Sequence, residues 1–194
     1  MNGMLLVFFI YSAFTINFVL QCALGIKGIA ESKSHLPLSG LIKLGLIFLS
    51  VVFLWFFFSG ILFSVISGFL LYILVFPVSS ITYNGLEYIV FRYFLKKEAK
   101  FESIVDFPAG ITAVAVFICI NIAHNILETA VLSLGFTFGI FLVNIIISEI
   151  RRRAALEAVP VFLRGKPLVL ISMGLLSLVF SASSILLFRM IGAQ

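Results

Sequence analysis

The sequence predicts an all-α integral membrane protein, and three observations carry that prediction. The 194 residues are 62% hydrophobic and only 11% charged. A soluble domain carries about a quarter charged residues to face water; a chain this apolar, with mean hydropathy +1.26, is excluded from that class. The charged residues also leave long uncharged stretches at 1–26, 44–86, 107–127, 129–148 and 167–188. Finally, runs such as 46–58 are apolar on every side. A membrane β-barrel shows alternating polarity instead, so helices satisfy the backbone in lipid.

A helix needs about 20 apolar residues to cross about 30 Å of hydrocarbon. Four stretches fit one crossing each, and 44–86 must hold two, with Ser59-Gly60 as the turn. The result is six transmembrane helices, placed at 3–25, 39–58, 61–91, 107–123, 126–149 and 168–190. Helix 1 is too long for the apolar core of a signal peptide and lacks its basic start. It carries Thr15, Asn17 and Gln21 before Gly25. Pro77 and Ser79-Ser80 mark a kink in helix 3. Helix 4 is short and opens Phe107-Pro108-Ala109-Gly110. His124 caps the turn into helix 5, which ends at Glu149 and the triplet Arg151-Arg152-Arg153.

Orientation follows from Lys and Arg, which favour the cytoplasmic ends of spans. With the N-terminus outside, twelve of the thirteen fall on inner loops and flanks, Arg189 being the exception. Both termini are then exterior, and the chain is a multi-pass protein of the bacterial inner membrane. The basic loops read as topology and attraction to anionic lipid headgroups, not as a nucleic-acid footprint. Arg151-Arg152-Arg153 also suits an acidic cytoplasmic partner.

Residues 1–194 form one transmembrane domain of two three-helix halves, 1–100 and 101–194. An odd number of spans per half makes related halves inverted repeats. Such repeats place a functional site at the midplane, on broken helices, here helices 1 and 4.

The segment Asn17-Phe18-Val19-Leu20 with Leu24-Gly25 resembles the opening of the RnfA-type membrane subunit of the Rnf/Nqr electron-transport family. So do His124-Asn125-Ile126-Leu127-Glu128, Ile150-Arg151, Val159-Pro160, Arg164-Gly165, and Gly174-Leu175 followed by Ser177-Leu178 and Phe180, with Glu87 and Pro108 in matching places. The resemblance implies a subunit of an ion-translocating ferredoxin:NAD oxidoreductase complex, without catalysis of its own. It implies an RnfE-like partner of opposite orientation and a [2Fe–2S] cluster shared between the two, each giving two Cys. The family's first ligand position is Lys27 here, and the second falls at Val114, or near Gly110 counted from His124.

Two other Cys exist. Cys22 and Cys119 are each displaced five residues towards the outer face, the geometry of a displaced two-thiol site or of two small buried apolar residues. Glu87, Glu128 and Glu149 all avoid span centres and read as solvated or ion-paired. Asn17, Asn84, Asn121 and Asn144 read as interhelical hydrogen-bonding groups, and the 23 Phe with Trp55 as lipid-facing bulk. There is no nucleophile–base pair and no phosphate loop. Besides an RnfA-like subunit, two readings stay open: a cluster-free structural or ion-translocating paralogue, and a small secondary transporter.

Overall fold

A computed structural model describes residues 2–21, 38–62, 69–94, 107–156, 160 and 165–192. Cys22, Gly25, Lys27 and Arg164 lie outside the described residues. Among those described the chain is helical, with no strand. Six helices follow in order: α1 Asn2–Ile10, α2 Leu38–Phe57, α3 Phe69–Ile89, α4 Phe107–Ile122, α5 Ile126–Leu156 and α6 Lys166–Gly192. The first three each run on into a π-helical turn, Tyr11–Thr15, Phe58–Leu62 and Val90–Phe94.

Four segments are long and apolar enough to cross a membrane: Gly40–Gly60, Ile73–Tyr93, Ile126–Ala154 and Lys166–Leu187. The other two, Gly3–Thr15 and Pro108–Ile122, are shorter. At 1.5 Å per residue they extend only about 20 Å. The six predicted spans are thus four full-length helices and two short ones, and the short ones head the two predicted halves. Helix α4 is short without being broken: it runs uninterrupted over its described range, so the expected breakage is seen in helix 1 alone.

Ser59-Gly60 is no turn. Helix α2 passes through it to Leu62, because neither residue prevents helical geometry once the flanks are uniformly apolar. Pro77 sits inside α3, which continues past it; a proline there removes one ladder hydrogen bond without ending the helix when neighbours hold it.

Helices α2 and α5 pack against each other. Helix α4 lies against α2 and α3, while α1 and its π turn lie against α5 and α6. Exchanging helices 1–3 with 4–6 reproduces this pattern. Lipid gives helices no hydrophobic reason to associate, so contact depends on close fit and polar bonds. The core accordingly holds small residues, Ala109, Ala113, Ala115, Cys119 and Ala123 in and just after α4, beside large ones. Trp55, Phe18, Phe58, Phe91, Phe136 and Phe180 are buried too, which corrects the reading of the aromatics as lipid-facing bulk. Phe53, Phe56, Phe76 and Phe117 do face outward.

The α4–α5 connection is short. The Glu128 carboxylate accepts the His124 backbone N–H at 2.8 Å, and Thr129 Oγ1 donates to the Asn125 carbonyl at 3.2 Å. The cap is therefore made by Glu128, with the exposed His124 supplying only its backbone. Before α6, Gly165 has φ +89°, a conformation that side chains with a Cβ resist. Its carbonyl accepts the Val169 N–H at 3.3 Å. The motif glycine is there for the turn.

Candidate functional site

Helix 1 stops being a regular helix in its middle. The Ile16 N–H donates to the Tyr11 carbonyl, five residues back, at 3.0 Å, and Ile16 then leaves helical geometry at φ −104°, ψ 54°. Breaking a helix in lipid strands backbone groups that no water can reach. Asn17, 1% exposed, satisfies both sides of the break. Its Nδ2 donates to the Ala13 carbonyl at 3.2 Å. Its Oδ1 accepts the N–H groups of Val19 and Leu20, each at 3.2 Å, and its own carbonyl accepts the Gln21 N–H at 2.8 Å. This is the geometry of an N-cap, an asparagine opening a new helical turn. Asn17 bonds within its own segment, as Asn121 does to the Phe117 carbonyl at 2.7 Å, so neither of these bonds is the expected interhelical one. An interhelical bond of that kind runs from Ser133 Oγ on α5 to the Phe48 carbonyl on α2, 3.4 Å.

Helix α5 is shaped to receive this break. Gly135 and Gly139 form a G-x-x-x-G pair, the spacing that lets membrane helices approach closely. A Cβ on Gly139 would lie 2.6 Å from the Ala13 carbonyl and 2.9 Å from Asn17 Nδ2; one on Gly135 would strike Ser12. Aromatic pairs flank the contact: Phe18 with Phe136 at 4.4 Å, Phe14 with Phe180 at 5.3 Å and Phe9 with Phe138 at 5.6 Å between ring centroids. Sequence reasoning missed the glycine pair, although its spacing within an apolar helix was a readable signal.

The buried carboxylate lies elsewhere. Glu87 of α3 is 7% exposed, and its Oε1 is 3.0 Å from Lys43 Nζ on α2. Arg92, its nearer neighbour in sequence, turns to Tyr88 instead, donating to the phenol oxygen and lying 5.3 Å over its ring. Glu149 pairs with Arg152 at 3.4 Å and Arg153 at 3.1 Å. Lys43 as Glu87's partner was not legible, because the pairing joins two helices.

Cys119 is a free, wholly buried thiol on α4. Val114 is half-buried on the same helix. Among the described residues no three or more His, Cys, Asp or Glu side chains gather in a metal-binding group. Helices 1 and 4, the carriers of the two sequence cysteines, pack chiefly on different neighbours. A [2Fe–2S] cluster is held by thiolates, usually four, and the lysine and valine at the two family positions offer none. The donor set does not fit the cluster.

One groove opens between α1, α2 and α5, with a volume of about 400 Å³ and walls including Phe9, Leu44, Gly45, Phe48 and Phe138. Its nearly wholly apolar lining suits hydrocarbon, not an ion.

These features define a multi-pass helical membrane protein built around a short, interrupted first helix. No family model matches the chain. Over a limited segment it is homologous to curated proteins named as the RnfA component of the ion-translocating oxidoreductase complex. The one from Buchnera aphidicola subsp. Schizaphis graminum (strain Sg) is 42% identical over 57 residues, 29% of this chain and 30% of the relative. Those from Escherichia coli O1:K1 / APEC and Citrobacter koseri are each 38% identical over 65 residues, 34% of both chains. The match thus spans about a third of the length of the curated relatives.

Proposed function

We propose that this chain is a membrane subunit of an ion-translocating oxidoreductase complex, in the position of its RnfA component. The observation that carries the reading is the homologous segment, 38–42% identical to proteins of that name. The interrupted helix 1 and the packing pattern that repeats on exchanging helices 1–3 with 4–6 support two inverted three-helix halves, 1–100 and 101–194. In this reading both termini face the exterior of the bacterial inner membrane, the basic loops meet anionic lipid, and an RnfE-like subunit of opposite orientation is the partner.

Within that complex the share of this chain is scaffolding. Asn17 closes the break in helix 1 with its own hydrogen bonds, and the family's two ligand positions carry Lys27 and Val114. Cys22 and Cys119 stay as the test of a displaced site. The deciding experiment is to tag the chain, purify it from its native membrane in mild detergent and identify what accompanies it. Redox subunits and a related membrane protein are expected at stoichiometric amounts; isolation without them overturns the reading. Iron and sulfide analysis with EPR on the same material separates scaffold from ligand. Iron lost on Cys22→Ala or Cys119→Ala would return this chain to the cluster.

A further inference from the structure

A carboxylate inside a membrane attracts a partner, either a fixed cation or a mobile one. Glu87 is the one buried charged side chain among the described residues. The helices packed against α3 are α2 and α4. Helix α4 carries no charged residue, and α2 carries only Lys43. On α3 itself Arg92 is engaged with Tyr88. The single charge facing Glu87 among the described residues is therefore the Lys43 ammonium, 3.0 Å away and itself 29% exposed.

Glu87 also ends a polar face. Ser79, Ser80, Tyr83 and Asn84 are all buried on α3, and their spacing of three and four residues aligns them with Glu87 over about 12 Å of helix. At the far end of this face the Ser79 hydroxyl is buried without a hydrogen-bond partner. A polar face that ends on an acid is open to a mobile cation unless something fills the acid.

We propose that Lys43 is the built-in counter-cation of Glu87, occupying the carboxylate in place of a mobile ion and closing the inner end of the buried polar face of α3. A tethered ammonium does not diffuse away, so the site is neutral without a sodium ion or a proton. The same pair ties α2 to α3 across an otherwise mostly apolar helix. Only the placement of α2 and α3 in the membrane is needed for this pairing, so it stands or falls separately from membership of any complex.

The test is modification of the full chain in its native membrane by dicyclohexylcarbodiimide, which attacks protonated carboxyls in apolar surroundings, with the adduct mapped by mass spectrometry. Glu87 of the wild type is expected to stay unmodified, with and without sodium, and Lys43→Arg to behave alike. In Lys43→Gln labelling at Glu87 rises on the order of tenfold, because losing one partner leaves an uncompensated buried charge that must take up a proton. Sodium added to that variant reveals which mobile cation then substitutes: protection means sodium, indifference means the proton. Wild-type Glu87 that is labelled and protected by sodium overturns the proposal, as does Lys43→Gln labelled no more than wild type. If Lys43→Gln fails to accumulate, the double variant Lys43→Gln/Glu87→Gln must restore accumulation; failure to restore it also overturns the proposal.

Discussion

Asn17 does with one side chain what a helix end ordinarily needs several groups to do. It donates to Ala13 on one side of the break and accepts from Val19 and Leu20 on the other. A typical hydrogen bond contributes about 1 kcal/mol net, and a stranded buried group costs more. Asn17→Ala is therefore expected to lower stability by about 2–3 kcal/mol, measured by unfolding in mixed detergent micelles; Asn17→Asp keeps the two acceptor bonds and loses less. Gly139 is constrained from the other direction, with the Ala13 carbonyl 2.6 Å from where a Cβ would be. Gly139→Ala is expected to cost about 1–3 kcal/mol by overpacking. Gly174, with nothing within 4 Å of its Cβ position, is the control: Gly174→Ala should leave the same unfolding curve nearly unmoved.

At the scale of elements, the short α4–α5 connection depends on Glu128. Its carboxylate holds the His124 N–H, in the manner of a capping box reaching back to the start of its helix. Glu128→Ala is expected to cost about 0.5–2 kcal/mol, and hydrogen exchange at the His124 amide should accelerate; Glu128→Gln retains an acceptor and most of the effect. The motif His124-Asn125-Ile126-Leu127-Glu128 is thus readable as turn chemistry. Gly165 is a comparable case, since its φ of +89° makes Gly165→Ala unfavourable by about 1–2 kcal/mol. By contrast, Ser59-Gly60 has the residue types that often make a turn, and the apolar flanks keep it helical in continuation of α2.

At the scale of the molecule, the prediction that matters is orientation. Reporter fusions at both ends should report an exterior location, and replacing Arg151-Arg152-Arg153 with uncharged residues should make that orientation mixed, because positive charge holds inner loops in place. The number and order of helices were legible beforehand: predicted 107–123, 126–149 and 168–190 lie close to Phe107–Ile122, Ile126–Leu156 and Lys166–Gly192. The lengths of the first and fourth helices were less so, because the uncharged stretch around each runs beyond its helix. Of the candidate residues, Asn17 was singled out by its polarity within an apolar run, while its role at a break required knowing where the backbone turns. Phe18 and Trp55 could not be sorted from the other aromatics, since lipid and core are equally apolar.

The linear sequence alone determined that this polypeptide is helical and enters the membrane, and roughly where each helix lies. Composition and the spacing of charges suffice for that, because every backbone group in hydrocarbon must be satisfied locally whatever the neighbours are. Only the tertiary structure decided that Glu87 meets Lys43, that Gly135 and Gly139 cradle helix 1, and that Phe18 packs on Phe136. When nearly every helix is apolar on all sides, polarity carries no record of which face meets which neighbour; close fit between surfaces makes that choice.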